Sequence, residues 1–551
     1  MSHRKQSRTP VEIRTAPLSA PALVTDLQEG ADAAAPFYGG HPFDPAAYER
    51  KAAAVAARLD ATARRRVADA FRPTSDAGAS RLARVLDGTG FFVTTGQQAG
   101  LFGGPLYTVV KILCAIRLAS ALEDLLGVPV VALFWVAADD HDWPEVNHTA
   151  LVDASNELRR ITLVQPEDAP PVAMADRRLG PGIADALQAL EAALPQSEFA
   201  GPLMDCLRPA YHPDASMADA FEALIAMLFA EQPLVLVSSA HPAVRATAQP
   251  LLMRDAQHVE HFAALLARTT DRLLERGYHA QVSIASDAAN LFFHDEHGRD
   301  RLVREDGTWH LRRSKRRFSA DELMARLQTE PTRFSPNVLL RPVIESALFP
   351  TLAYVGGPAE LSYLAQVSCL FAEHGIEAPI AYPRTSVTIL EGRVRRVLDK
   401  FGLDVQDFHR PFHEVAARVL RAEMPHSVTE ATAALRAAIA PGYDRLADAA
   451  AEIDPTLRKW VQGVRNGALG NVDDAEKKIA SHYRKRHEVE EEQLRKAAIN
   501  LYPDGTLQER VLSPLQFLAR YGLGLLDDVL EALETPWSER RPAWEGPRCE
   551  D

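Results

Sequence analysis

A glycine-rich segment after a short apolar run is the part of this sequence best suited to bind a ligand. Residues 91–93 predict a strand, and Pro105 opens an amphipathic helix. Glycine lets the backbone approach a ligand closely, and the free N–H groups of a helix start attract anions. We predict an anion or nucleotide site here, with a tight structural turn as the alternative. The candidate binding residues are Thr95, Gly96, Gln97, Gln98, Gly100, Gly103 and Gly104.

An acidic cluster follows the next apolar segment. Residues 128–138 are apolar throughout, which predicts a buried parallel strand. We expect Asp140, His141 and Asp142 to be catalytic and Asn147 to bind substrate. The cluster could contact a substrate amine or ribose, hold a metal, or be a helix cap with solvated acids. Adjacent carboxylates need a nearby cation or shared protons, and we predict no metal.

Two arginines and a second glycine pair extend the candidate site. Residues 336–344 predict a strand, and an arginine at a strand end, such as Arg341 or Arg384, needs a protein or ligand anion. Surface ion pairs are the alternative for both. Another strand-to-helix turn contributes Tyr354, Gly356 and Gly357 to the predicted pocket.

These residues require a parallel sheet to bring them together. The segment 91–138 reads as strand, helix and strand, which predicts an α/β doubly wound parallel sheet. In such sheets, ligands bind at the carboxyl ends of the strands, where the glycine loop and the acidic cluster both lie. Residues 277–317 predict an antiparallel meander, and Ser319 with Glu322 predicts a capping box. After about residue 386, strand signals give way to charged helical sequence that favours a hairpin or coiled coil.

Composition limits the classes of function. The chain has 551 residues, 47% of them hydrophobic, and a net charge of −13. This length predicts several domains, and the acidic balance argues against a nucleic-acid partner. The four cysteines lack CxxC spacing, which argues against a thiolate zinc site and against disulfides. We read neither a signal peptide nor a membrane span and expect a cytoplasmic protein.

Several segments together resemble the cysteine-adding enzymes of bacillithiol biosynthesis, the bacillithiol synthase family. The segments are TTGQQAGLFGGPLYTVVK, FWVAADDHDWPEVNH, NLFFHDEHGRDRLVRE, SPNVLLRPVIESALFPTLAYVGGPAELSYLAQ, YPRTSVTIL and LYPDGTLQERVLSPLQFLARYGLGLLDDVL. The resemblance implies a Rossmann-like core over 1–385, with connecting inserts near 151–215 and 245–335. It also implies a C-terminal α-helical coiled-coil domain over 386–551 that forms a homodimer.

The resemblance implies a ligase that joins the carboxyl group of cysteine to the amine of glucosaminyl malate. By analogy with class I aminoacyl-tRNA synthetases, ATP would activate the carboxyl group as an adenylate. A nucleotidyl transferase of related fold, acting on another amino acid or amine, is the alternative. A non-catalytic scaffold built on the coiled coil is the third hypothesis.

Overall fold

The computed structural model describes residues 11–165, 170–285, 288–422, 425–534 and residue 537. Contacts divide the chain into two units: the part up to Ile389 with the part from Glu509 onward, and Leu390–Gln508. The division into two domains at residue 386 stays a prediction. In the structure, the segment from Glu509 onward groups with the first unit.

The strands are β1 Val11–Pro17, β2 Phe71–Pro73, β3 Phe91–Gln97, β4 Val130–Val136, β5 His148–Val152, β6 Leu158–Thr162, β7 Leu234–Ser238, β8 Ala288–Asp295, β9 Gly298–Glu305, β10 Thr308–Leu311, β11 Arg317–Phe318, β12 Phe334–Pro336, β13 Thr351–Gly356, β14 Ile380–Pro383 and β15 Thr385–Glu391.

The helices are α1 Ala22–Glu29, α2 Pro45–Arg58, α3 Ala61–Arg65, α4 Asp76–Leu86, α5 Tyr107–Leu126, α6 Trp143–Val146, α7 Ile183–Ala193, α8 Ala200–Ala210, α9 Met217–Leu228, α10 Pro242–Gln257, α11 Val259–Glu275, α12 Ala320–Thr329, α13 Arg341–Leu348, α14 Pro358–Gln366, α15 Ser368–His374, α16 Gly392–Phe401, α17 Phe412–Ala422, α18 His426–Ile453, α19 Pro455–Arg486, α20 Glu488–Leu501, α21 Gln508–Val511, α22 Pro514–Tyr521 and α23 Gly524–Ala532.

The central sheet of the first unit confirms the predicted α/β class. Its strand order is β14-β13-β3-β4-β7-β2. The first five strands are mutually parallel, and β2 pairs antiparallel with β7 at the edge. Every residue of β4 is buried, as expected for a strand covered by helices on both faces.

The predicted strand–helix–strand unit is confirmed as β3, α5 and β4. Helix α5 buries an apolar face, and it ends at Gly127, which adopts the left-handed conformation that glycine tolerates best. Because β3 and β4 are parallel neighbours, the glycine loop after β3 and the acidic cluster after β4 emerge at one edge of the sheet.

A second sheet confirms the antiparallel meander from residue 288 onward, whereas residues 277–285 of the predicted range form no strand and β12 joins the sheet from outside that range. Its order is β11-β10-β9-β8-β12, and all of its pairs are antiparallel. The capping box of Ser319 and Glu322 is present. The predicted strand over 336–344 is wrong: β12 ends at Pro336, and Arg341 begins a helix. The Asn337 side chain accepts the N–H groups of Leu339 and Leu340 at 3.0 Å, which caps a turn there.

The second unit is helical and confirms the coiled-coil prediction. Helices α18 and α19 are joined by Asp454 alone and lie antiparallel. Arg436 pairs with Glu476 at 2.6 Å, and Arg458 pairs with Asp448 at 2.6 Å, across this hairpin. The charged run over 473–498 is not one continuous helix, because α19 ends at Arg486 and α20 begins at Glu488.

Candidate active site

A cavity of about 620 Å³ opens at the carboxyl ends of β3, β4 and β13 in the first unit. This volume lies within the range of small-molecule sites in proteins. Its wall includes Gly96, Gln97, Gln98, Tyr107, Lys111, Trp135, Asp139, Asp140, His141, Glu145, Ser239, Phe292, Arg299, Asn337, Arg341, Tyr354, Gly357, Glu360, Tyr363, Arg384 and Arg510.

Gly96 is required where β3 packs against β4. A Cβ atom on Gly96 would lie 2.9 Å from the Trp135 carbonyl oxygen, closer than side chains tolerate. The neighbouring Thr95 is buried, and its hydroxyl donates to the Val355 carbonyl at 2.8 Å, so it ties β3 to β13 rather than facing the cavity. The structure therefore gives part of the glycine segment a packing role.

The glycine loop is divided between two cavities. Gly100 and Gly104 line a second cavity of about 330 Å³, whereas Gly103 lines neither. The start of α5 is also less open than the sequence indicates, because the Leu106 N–H donates to the Leu512 carbonyl at 2.8 Å. One of the N–H groups expected to attract an anion thus already has a protein acceptor.

A buried network joins the loop to the turn after β13. The Lys111 ammonium group donates to the Gly96 carbonyl at 3.0 Å and the Gln97 side chain at 2.9 Å, and pairs with Glu360 at 2.5 Å. Glu360 also accepts the Tyr354 hydroxyl at 2.7 Å and the Gly357 N–H at 2.9 Å. Burial disfavours a charged Glu360, but Lys111 and these donors outweigh burial and lower the pKa of Glu360.

Both predicted arginines line the cavity, and each has a buried carboxylate partner. Arg341 donates to Glu345 at 2.9 Å and to the Tyr363 hydroxyl at 2.5 Å. Arg384 pairs with Glu509 at 2.8 Å. Neither arginine fits the surface ion-pair alternative, because these guanidinium groups are largely buried.

Part of the acidic cluster, Asp140 and His141, lines the same cavity. The Gln98 side chain donates to Asp140 at 2.5 Å and to Glu145 at 2.9 Å, so the glycine loop holds this cluster directly. His141 lies 3.3 Å from the guanidinium group of Arg299. Burial and the charge of Arg299 lower the pKa of His141, which is therefore a neutral imidazole at neutral pH.

Asp139 and Arg299 add two further charged groups to the cavity wall. Asp139 is buried and pairs with Arg245, and its N–H donates to the Ser239 hydroxyl at 3.0 Å. The guanidinium group of Arg299 stacks on Phe292 at 3.8 Å and donates to the Ser335 hydroxyl at 3.1 Å. Arg299 comes from the second sheet, so the cavity combines side chains from both sheets.

The structure brings most of the predicted site residues to this cavity, and their roles stay predictions. The members of its wall are Gly96, Gln97, Gln98, Asp140, His141, Arg341, Tyr354, Gly357 and Arg384. Asp142 is exposed beside α6, and Asn147 bonds its neighbour His148 at 3.2 Å, so neither faces the cavity. Gly356 is also outside the wall; its carbonyl accepts the Arg384 N–H at 3.0 Å.

Sequence reasoning missed several wall residues, and only some of these have a local signal in the sequence. Lys111 is a lone cation within the apolar face of α5, and Glu360 stands at the third position of α14, where a capping carboxylate is common. Both features are signals from which these two residues could have been predicted. Arg299 has no comparable local signal, because its partner His141 is 158 positions away in sequence.

Within the described ranges, no group of three His, Cys, Asp or Glu side chains is arranged to hold a metal ion. None of the helices in the described part of the chain combines the length and apolarity that crossing a bilayer demands.

Comparison with known proteins gives matches along nearly the whole chain. Residues 10–385 match the family model described as bacillithiol biosynthesis BshC, N-terminal Rossmann-like domain. Residues 387–539 match the model for the C-terminal coiled-coil domain of the same family.

Individual relatives agree with these models. A protein of Salinibacter ruber is 35% identical over 529 residues, covering 94% of this chain and 95% of the relative. One of Solibacter usitatus is 32% identical over 525 residues, covering 94% of this chain and 96% of the relative. Both carry the name "Putative cysteine ligase BshC".

Proposed function

The chain belongs to the BshC family of bacillithiol biosynthesis, and from this premise we propose that it joins the carboxyl group of cysteine to the amine of glucosaminyl malate. The observation that carries the proposal is the pairing, in one cavity, of a neutral imidazole beside carboxylates with a set of arginines. The carboxylates beside the imidazole suit an ammonium group, and the arginines suit the carboxylates of the malate group.

In this proposal His141 Nδ1, which accepts a hydrogen bond from Arg299 at 3.3 Å, exchanges that contact for the sugar amine and takes its proton as the new C–N bond forms. An amine attacks a carboxyl carbon only in its neutral form, so a nearby base is needed. The lowered pKa of His141 keeps the imidazole free to accept that proton. Asp140, whose carboxylate lies 3.7 Å from the His141 ring, would then stabilise the imidazolium. Gln98 fixes Asp140 through its 2.5 Å hydrogen bond.

The residues present fit an anionic co-substrate such as ATP. Trp135 Nε1 is a buried N–H donor that has no hydrogen-bond partner among the described residues, and its side chain lines the cavity. Such donors match phosphate oxygens. When bound, ATP would supply the activation of the cysteine carboxyl group, and Gln97 and Arg341 would hold its charged part.

The test is product formation by the full-length chain. We would incubate it with cysteine, glucosaminyl malate and ATP and search by mass spectrometry for the amide, one water lighter than its two parts. His141→Asn should lower the yield strongly, because asparagine keeps a polar side chain but cannot accept the proton. No amide with any nucleoside triphosphate would reject the proposal. Cysteine-independent exchange of pyrophosphate into ATP, driven by another amino acid, would favour the nucleotidyl transferase instead.

We also propose a cytoplasmic homodimer that associates through the second unit. The α18–α19 hairpin exposes large apolar side chains, including Ile453 at 85% and Trp460 at 68% exposure. Exposed apolar groups of this size are typical of association surfaces. Light scattering of the full chain should give twice the mass of 60.5 kDa. Trp460→Lys should shift the protein toward the monomer, and a wild-type monomer at all concentrations would reject the dimer.

A further inference from the structure

Arg384 is held so that one of its donors stays unused. Its Nη1 group donates to the Thr385 carbonyl at 3.1 Å and pairs with Glu509 at 2.8 Å, and its guanidinium group lies 5.5 Å from the centre of the Tyr107 ring. The Nε–H group is buried and has no hydrogen-bond partner among the described residues. A buried donor without a partner is unfavourable, so its persistence beside a cavity points to a ligand acceptor.

Glu509 fixes this orientation from a distant part of the sequence. One of its carboxylate oxygens accepts the Ser386 hydroxyl at 3.1 Å, and the other accepts the Val387 N–H at 2.9 Å. The side chain is 1% exposed, so its carboxylate is not available to a ligand. Its contacts therefore orient Arg384 and the backbone that follows it.

Arg510 supplies the net positive charge that the buried pair of Arg384 and Glu509 lacks. Arg384 and Glu509 together are neutral, and a neutral pair attracts an anion weakly. Arg510 lines the same cavity, and the described residues include no carboxylate within ion-pair distance of it. Tyr107, whose ring lies under Arg384, lines this cavity together with both arginines.

We propose that Arg384 and Arg510 form a subsite for the carboxylates of the acceptor substrate, and that Glu509 is the positioning residue that aims Arg384 into it. This inference rests on the proposed function, because it assigns the malate group of the acceptor to that subsite. The two guanidinium groups offer N–H donors to the two carboxylates of the malate group, and Arg510 supplies the net positive charge.

The kinetic test compares two acceptors that share the amine. Glucosaminyl malate carries the carboxylates, and methyl glucosaminide lacks them. Glu509→Gln should raise KM for glucosaminyl malate by about tenfold or more, because an amide cannot satisfy Arg384, Ser386 and Val387 together. KM for methyl glucosaminide should stay within about twofold. An equal rise for both acceptors, or a rise confined to ATP, would overturn the proposal.

The matched control is Glu377→Gln. Glu377 also pairs with an arginine, Arg58 at 2.6 Å, but neither residue lines the cavity. We expect both KM values to remain at the wild-type level. The double variant Arg384→Met/Glu509→Leu covers the case in which Glu509→Gln does not fold, because removing both charges leaves no buried ion unpaired. It should show the same selective loss for glucosaminyl malate.

A binding measurement separates this inference from the ligase reaction. Calorimetry with L-malate needs no turnover, and the wild type should bind L-malate about tenfold more tightly than the double variant. If the wild type forms no amide but shows this difference, the subsite stands and the proposed function fails. Equal L-malate affinities would overturn the subsite whatever the outcome of the ligase assay.

Discussion

The strongest stability prediction concerns the ion pair of Lys111, which is buried, and Glu360, whose side chain is 20% exposed. Lys111→Met removes the ammonium group but fills a similar volume. Glu360 would keep its hydrogen bonds from Tyr354 at 2.7 Å and Gly357 at 2.9 Å but lose its counter-charge at 2.5 Å. An uncompensated buried charge costs about 3–5 kcal/mol. Because Glu360 is 20% exposed, we expect the free energy of unfolding to fall by somewhat less, about 2–4 kcal/mol, at pH 7.

The loss of stability in Lys111→Met should depend on the charge of Glu360. In Lys111→Met/Glu360→Gln the buried charge is absent, and we expect recovery of about 1–3 kcal/mol relative to the single variant. Wild-type stability should also fall with acid: the folded pKa of Glu360 is lowered, so its contribution is complete above the unfolded pKa and disappears as pH falls through the folded one.

Urea unfolding followed by tryptophan fluorescence measures these differences. Lys51→Met is the control, because Lys51 donates to the Ala378 carbonyl but has no ion pair among the described residues. We expect a cost of about 1 kcal/mol there. If Lys111→Met were as stable as Lys51→Met, or if the double variant were less stable than Lys111→Met, the reasoning about this pair would be refuted.

Three further predictions concern the cavity. His141→Asn should lower kcat by about 10²–10⁴, measured by amide formation, and an unchanged kcat would exclude His141 as the base. Arg299→Met should move the acidic limb of the kcat/KM profile to higher pH, by about one unit, because removing a nearby positive charge raises the pKa of His141. Gly96→Ala should abolish activity and lower the melting temperature, because its Cβ would meet the Trp135 carbonyl at 2.9 Å, whereas Gly201→Ala, with open space around it, should be tolerated.

Much of the fold could be predicted because its signals are local. The apolar run of β4 and the amphipathic α5 with Gly127 at its end each reveal their structure within a few residues. The segment around Arg341 could not be read this way. Its apolar run suits a strand, but the Asn337 side chain caps a turn and a helix begins instead.

The candidate site was predictable where it follows from the parallel sheet. Once β3 and β4 are neighbours, Gln98 and Asp140 must emerge close together, and their hydrogen bond reflects that geometry. Contacts across long sequence separations were not predictable. Arg299 comes from the second sheet, and Glu509 reaches Arg384 only after the chain has passed through the second unit. Such tertiary pairs follow no periodicity in the sequence.

The central claim is that this cavity holds an amine beside the imidazole and the acceptor carboxylates beside the arginines. A crystal structure of the full chain with glucosaminyl malate bound would measure this directly. We predict the sugar nitrogen within hydrogen-bond distance of His141 or Asp140, and a malate carboxylate on Arg384 Nε. A ligand that binds outside the cavity, or that places its carboxylates against Asp140 and its amine against Arg384, would contradict the account.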